Sequence, residues 1–362
     1  MSDLQIMKGN EALAEAAIRA GCNGYFGYPI TPQSEILEYL AEEGRERGMI
    51  VLQAESEVAS INMVYGAAGA GARVMTSSSS PGVSLMQEGI SYIACAELPC
   101  LIVNVNRGGP GLGTIQPSQG DYFQSVKGGG HGDYRLIVLA PSSVQEMADF
   151  VFKAFDLADK WRNPVMILAD GALGQMMEKV HFPDYNPKDH VVPKPWATTG
   201  KTPDRERNII TSLHIEPEKM EQINLRLQKK YRQIAETETR WEEVETDDAE
   251  WLIVGYGLAA RIGHRAVEIA REQGIKAGLL RPITLFPYPS RAIETLAGRV
   301  HGILTVEMNA GQMVEDVRLA VNGKVPVSFY GRMGGVIPSP DEVVGALKNM
   351  ITHDVAQPAE AC

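Results

Sequence analysis

The chain is poor in the residues that build metal and redox centres. Its 362 residues include four cysteines, Cys22, Cys95, Cys100 and Cys362, with no C-x2-C pair; Cys95 and Cys100 stand alone as C-x4-C. That spacing argues against an iron–sulfur cluster or structural zinc bound by this chain alone, and for reduced thiols in a packed core. The seven histidines are scattered, with no H-E-x-x-H or similar pair. If redox chemistry occurs here, the electron carrier must sit on something else.

Long apolar runs are also missing. No window approaches 18 uninterrupted apolar residues, so no membrane span is expected. The first residues, MSDLQIMKGNEALAE, lack the basic and then apolar stretches of an export signal, and a cytoplasmic protein is expected. There is no Lys/Arg-rich run, and a net charge of -11 would repel a phosphate backbone, so nucleic acid is not an expected partner.

What is present is the profile of a folded α/β protein: 44% hydrophobic residues, 22% charged residues and 36 glycines. At roughly 150 residues per domain the length gives about two domains. Short, continuously apolar strands at 50–53, 72–76, 100–106, 136–140 and 165–169 alternate with helical stretches at 8–20, 34–47, 58–70 and 143–160. Continuous strands between helices mean a parallel sheet covered on both faces. This first block fills residues 1–185. Residues 186–248 read as a Pro- and Lys-rich linker followed by one long amphipathic helix, with Met220, Ile223, Leu227, Ile234, Trp241 and Val244 on a single stripe. A second α/β block occupies 249–350, and 351–362 form a tail.

Several strand ends carry candidate chemistry. Gly255-Tyr256-Gly257-Leu258-Ala259-Ala260 fits a dinucleotide fingerprint, but no acid follows about twenty residues on, where the ribose would need one. The alternative is a tight turn with close helix–sheet packing. Arg107 and the glycine-rich 108–113 follow the strand at 100–106, where open α/β sheets bind ligands, and an arginine there can clamp a carboxylate. Thr76 to Gly82, reading TSSSSPG, offers hydroxyls and helix-start amides to a polar ligand, although capping alone accounts for several of them. Glu57 begins a helix that Ser56 can cap, and Tyr28-Pro29-Ile30-Thr31-Pro32 reaches the same end of the sheet.

The segments GYPITPQSE (27–35), LQAESEVASINMVYGAAGAGARVMTSSSSPGVSLMQEGISY (52–92), LPCLIVNVNRGGPG (98–111) and QGDYFQSVKGGGHGDYRLIVLAPSSVQE (119–146) resemble the alpha subunit of 2-oxoacid:ferredoxin oxidoreductases. TVEMNAGQM (305–313) and YGRMGGVIPSPDE (330–342) extend the resemblance to that subunit's transketolase C-terminal-like domain, so it covers nearly the whole chain. TSSSSPG and GGGHGDY are most similar to subunits for branched-chain acids such as 2-oxoisovalerate, with 2-oxoglutarate enzymes the near alternative.

The resemblance implies a thiamine diphosphate (pyrimidine-type) domain of parallel-sheet α/β fold, followed by the transketolase C-terminal-like α/β domain. It implies oxidative decarboxylation of a 2-oxoacid with coenzyme A to acyl-CoA, carbon dioxide and reduced ferredoxin. Thiamine diphosphate is then shared with a beta subunit that holds the diphosphate, Mg2+ and a [4Fe-4S] cluster, and gamma and ferredoxin-like delta subunits complete the complex. By the same resemblance Glu57 binds the pyrimidine ring nitrogen, favouring the imino tautomer whose exocyclic nitrogen takes the thiazolium proton. Thr31 and Arg107 hold the substrate carboxylate, Ser79, Ser80, Pro81 and Gly82 form the cofactor-side wall, and Lys127 reads a distal substrate group. His131 is equally a loop histidine bonded to backbone. An NAD-linked dehydrogenase and a non-catalytic scaffold subunit are the alternatives from other classes.

Overall fold

A computed structural model describes residues 4–201 and 203–356, so Cys362 and the end of the expected tail lie outside the described residues. A short strand β1 (Leu4–Lys8) leads into helix α1 (Gly9–Arg19). Then follow β2 (Gly24–Gly27), α2 (Ser34–Tyr39) with a π turn beyond it, β3 (Ile50–Gln53), α3 (Glu57–Gly69), β4 (Val74–Ser78), α4 (Ser80–Cys95) and β5 (Cys100–Asn106). After a long loop come β6 (Ile137–Leu139), α5 (Val144–Trp161), β7 (Pro164–Asp170), the single turn α6 (Gly171–Gln175) and β8 (Met177–His181). β8 pairs antiparallel with β1. The strap at 182–216 crosses to α7 (Pro217–Thr237) and β9 (Trp241–Val244).

The second block contains β10 (Trp251–Val254), α8 (Gly257–Glu272), β11 (Ala277–Pro282), β12 (Thr284–Phe286), α9 (Ser290–Ala297), β13 (Gly302–Glu307), α10 (Met313–Val321), β14 (Val327–Gly331) and α11 (Pro340–Ala356). The first sheet has the order β12-β6-β7-β5-β4-β2-β3, parallel except for β12, and the second β14-β13-β10-β11-β9, parallel except for β9. Both are the covered parallel sheets expected from strands such as CLIVNVN and PVMILAD, every residue of which is buried.

In the first sheet the chain steps from β2 one way to β3 and then back past β2 to β4. The reversal creates a crevice at the carboxyl ends of β2 and β4, the position where open α/β sheets take ligands. α1, α2, α5 and α7 cover one face of this sheet. α3 and α4 cover the other, where they share a core with α9 and α10 of the second block. No helix among the described residues is long and apolar enough to cross a membrane.

Two expectations need correction, and one strand pairing was not expected. The amphipathic helix stops at Thr237, and Trp241 and Val244 lie on β9, antiparallel to β11: the apolar stripe continued in sequence, but the pairing of Leu279 with Val244 and of Pro282 with Trp241 pulled the segment into the sheet. Residues 351–356 are not tail but the last turns of α11, which packs on α8 through Val343, Leu347 and Met350. β12, from the second block, completes the first sheet beside β6, so the two blocks interlock.

The strap is anchored by one buried cation. Arg73, at the start of β4, donates to both Asp159 (2.9 Å) and Asp156 (3.2 Å) of α5, to Ala20 O (2.8 Å), to Tyr185 Oη (3.1 Å) and to His190 O (3.4 Å). Lys194 of the strap adds a second bond to Asp159 at 2.7 Å. Removing one partner of a buried ion pair costs about 3–5 kcal/mol because the other charge stays buried. Lys194 keeps part of that compensation, so Arg73→Met should cost about 3 kcal/mol. The expected result is a lower Tm together with faster proteolysis within the strap; an unchanged melt would show that the network contributes nothing.

Candidate active site at the carboxyl ends of the first sheet

Glu57 is the first residue of α3, whose start is fixed by Ser56 accepting from Ala59 N at 3.3 Å. The side chain is only 5% exposed, yet its one hydrogen bond among the described residues is a long one, accepted from Ser78 Oγ at 3.5 Å. A buried carboxylate with so little satisfaction is costly unless a ligand donor completes it. Gly82, in the first turn of α4, makes the approach possible. A Cβ built there would stand 2.4 Å from Glu57 Oε1 and 2.0 Å from Ser78 Oγ.

The serine-rich segment differs from a loop. Ser77 and Ser78 belong to β4 and Ser80 already opens α4, so Ser79 alone makes the turn. Ser79 Oγ is buried without a hydrogen-bond partner among the described residues. Ser80 Oγ is a junction: it accepts from Arg107 N (3.0 Å) and lies 3.2 Å from both Asn106 Oδ1 and Arg107 O. Pro81 sits in the first helical turn, where its missing N–H removes no helix bond.

Arg107 leaves the end of β5 and is 7% exposed. Its guanidinium donates from Nη1 to Thr31 O (2.8 Å) and from Nη2 to Leu112 O (2.9 Å), while Nε has no partner among the described residues. It therefore ties the Thr31 turn to the glycine-rich loop and keeps further N–H groups for an anion. The loop folds back on itself through Thr114 N to Gly108 O at 2.8 Å. Gly113, at φ 64° and with Gly108 O only 1.9 Å from a built Cβ, admits no side chain. Thr31 itself is exposed, its carbonyl held by Arg107.

The geometry thus brings together Thr31 with Arg107 and Ser80, and Glu57 with Gly82, the two groups meeting at the first turn of α4. Lys127 is elsewhere: it is exposed and ion-paired to Asp316 on α10, which also accepts from Tyr122 Oη at 2.6 Å. His131 is exposed as well. Sequence reasoning missed the layer beneath. Gln33 is fully buried, accepts from Ser77 Oγ at 2.5 Å and reaches Tyr28 O at 3.4 Å; Tyr25 Oη meets the same serine at 2.8 Å. Asn10 holds Pro32 O at 2.8 Å. The only sequence signal is a glutamine directly after the ITP motif, which nothing local distinguishes from a surface residue. Asp121, bonded to Asn104 at 2.9 Å, is pushed upward by burial, with Ser80 and Asn104 opposing.

The dinucleotide reading fails on space and charge. Gln119 Nε2 donates to Tyr256 O at 2.8 Å and stands 3.2 Å from a Cβ built on Gly257. The start of α8, where a pyrophosphate would sit, is taken by Asp170, which accepts from the backbone of Leu258 as well as from Ala172 N (2.9 Å) and Leu173 N (3.1 Å). Burial pushes the Asp170 carboxyl up to about 6, against those amides. The glycines serve packing between the blocks.

Comparison with known proteins defines the class. Residues 15–246 match the thiamine diphosphate-binding domain of pyruvate flavodoxin/ferredoxin oxidoreductases, and 249–343 match the core domain II of pyruvate:ferredoxin oxidoreductase. The chain belongs to the 2-oxoacid:ferredoxin oxidoreductase family, as the motif resemblance implied. It is 54% identical over 331 residues to the ketoisovalerate oxidoreductase subunit VorB of Methanothermobacter thermautotrophicus, covering 91% of this chain and 93% of that one. A solved 2-oxoglutarate:ferredoxin oxidoreductase from Magnetococcus marinus, with 2-oxoglutarate, coenzyme A and succinyl-CoA bound, superimposes with a TM-score of 0.85 at 27% identity, over 97% of this chain and 66% of that one. A split-gene transketolase at 14% identity shares the fold alone, with a TM-score of 0.59 over 96% of this chain and 98% of the other.

Proposed function

We propose that this chain is the alpha subunit of a cytoplasmic thiamine diphosphate-dependent 2-oxoacid:ferredoxin oxidoreductase. Its proposed reaction converts a branched-chain 2-oxoacid and coenzyme A to acyl-CoA, carbon dioxide and reduced ferredoxin. The observation that carries the reading is the buried, under-satisfied Glu57 carboxylate at the topological switch, next to an arginine with unused donors. These residues fit the aminopyrimidine of the cofactor, since Glu57 offers a fixed acceptor and Ser79, Ser80, Pro81 and Gly82 leave a wall with no bulky side chain beyond the proline ring. The cofactor supplies the electron sink for decarboxylation.

Glu57 holds the proton shared with a ring nitrogen and so sets the pyrimidine tautomer. Arg107 and Thr31 orient the substrate carboxylate for departure, the arginine through its free N–H groups and the threonine through its exposed hydroxyl. Apolar neighbours favour an aliphatic side chain on the substrate: Leu112 and Ile115 are 82% and 56% exposed beside the Arg107 loop, whereas Lys127, the cation expected to read a distal group, is occupied by Asp316. The remaining parts of the proposed complex are the Mg2+ and diphosphate site and a [4Fe-4S] cluster on a beta subunit, gamma and delta subunits, and ferredoxin as acceptor, a division supported by the family resemblance.

Gly82→Ala tests the cradle. Because the added methyl lands on Glu57 and Ser78, the carboxylate must move, and a displacement of about 1 Å costs turnover of order a hundredfold. Thiamine diphosphate titration and steady-state rates of the assembled complex check it; full activity would show that Glu57 needs no such approach.

The reaction itself is tested by CoA-dependent viologen reduction in the complex purified through this chain, comparing 2-oxoisovalerate, 2-oxoglutarate and pyruvate. The highest kcat/KM is expected with 2-oxoisovalerate, and the isolated chain should be inactive. Preference for 2-oxoglutarate would overturn the substrate assignment, and no rate with any acid in a thiamine diphosphate-loaded complex would overturn the reaction.

A further inference from the structure

A second polar groove of about 740 Å3 opens at the other end of the first sheet, between the C-terminal end of α4, the strap and the start of α7. α4 begins at the carboxyl end of β4 and delivers the chain to the start of β5, so Cys95, Ala96 and Glu97 lie at the amino ends of the strands, away from Glu57 and Arg107. The groove is within the size range of small-molecule sites.

Its charges are unbalanced. Glu97 is the only carboxylate among the described lining residues, and both of its oxygens are taken, one by Arg226 at 2.7 Å and the other by Lys230 at 3.2 Å. That leaves Lys219 without an ion-pair partner among the described residues, and Arg162 sharing the one Glu97 carboxylate with Arg226 and Lys230, in a chain whose net charge is -11. Arg162 is held rigidly: its backbone is left-handed (φ 47°), Nε donates to Glu97 O at 3.2 Å, and its guanidinium lies 4.4 Å over the Trp196 ring. Its two terminal nitrogens have no partner among the described residues, nor do the side chains of Lys219 and His214. Burial lowers the Arg162 guanidinium below the ordinary arginine range, as for a cation short of compensation.

We propose that this groove binds an organic phosphate. A planar guanidinium fixed by an aromatic ring, with an ammonium and an imidazole beside it, suits a multiply charged tetrahedral anion rather than a single carboxylate. Ile209 and Ile223, at the groove wall, cover the apolar or planar remainder of the ligand. The site is independent of the catalytic assignment, because none of its residues contacts the strand-end crevice.

Calorimetric titration of the full chain at low ionic strength, with adenosine diphosphate and inorganic pyrophosphate as probes, tests the proposal. Adenosine diphosphate should bind at one site per chain, and more tightly than pyrophosphate. Lys219→Glu should weaken it at least about tenfold, since an uncompensated charge-assisted contact is lost and a repulsive one gained. Arg162→Gln should weaken it similarly; because Arg162 also shapes a turn, the exposed Lys219 is the decisive variant. Pyrophosphate binding as tightly as adenosine diphosphate would overturn the role of Ile209 and Ile223. Absence of binding by both probes up to about 1 mM, or binding that Lys219→Glu leaves unchanged, would overturn the site.

Discussion

Glu57→Gln should lower turnover of the assembled complex by about 10^2–10^4, the range for removal of a positioned acid–base group, while leaving its folding unchanged. The substitution is nearly isosteric, and the site asks little of the carboxylate structurally: Glu57 begins α3 but does not cap it, a task that falls to Ser56, and its one hydrogen bond among the described residues is the 3.5 Å bond from Ser78. An amide can accept that bond through its oxygen. What it cannot do is hold or exchange a proton at the pyrimidine nitrogen. The measurement is CoA-dependent viologen reduction with matched thiamine diphosphate loading, and circular dichroism melts report folding. Loss of rate with an unshifted melt is the expected result. A variant retaining most of its turnover would return the chain to the scaffold reading, in which this subunit supports a site made elsewhere.

That Glu57, Thr31 and Arg107 lie at one end of the sheet was legible in the sequence for a local reason. Each directly follows a short apolar strand or its turn, and in a parallel α/β sheet such positions are confined to one end. Periodicity alone places them there, and the Ser56 cap and the start of α3 were readable for the same reason. The parts that stayed hidden depend on partners distant in sequence. Lys127 was assigned to a distal substrate group, but its partner Asp316 is 189 residues away. Trp241 continued a helical stripe, yet β11 offered it a sheet edge. The expected strand at 72–76 stops short of Ser77 and Ser78 because serine is a weak strand former, whereas Met75↔Leu101 through Ser78↔Asn104 register them beside β5, with every residue of both strands buried. Gln33 and Tyr25, which support the turn carrying Thr31, have no periodic signature at all. Their role appears only where Ser77 meets both.

Arg107→Lys should lower kcat/KM by about 10- to 150-fold, corresponding to about 1.5–3 kcal/mol for a lost charge-assisted contact, chiefly through KM. The positive charge is kept, so any loss reports geometry. A lysine has one nitrogen, and it cannot reach Thr31 O and Leu112 O while also meeting a carboxylate, as the planar fork of Arg107 can. Arg107→Ala should cost more, because it also releases the Thr31 turn and the glycine-rich loop that the guanidinium now holds together, and kcat should then fall with KM. Thiamine diphosphate affinity should stay constant in the lysine variant, since in the proposed site Glu57 and Gly82 meet the cofactor from α3 and α4 and the Arg107 side chain does not. Steady-state kinetics of both variants, with cofactor titration, separate the roles. Unchanged KM for the 2-oxoacid in Arg107→Lys would remove the arginine from the substrate site and leave it as a brace between β2 and β5. A KM effect that disappears when Thr31 is replaced by valine beforehand would instead show that both residues act on the same carboxylate, because contacts to one shared ligand group are not additive.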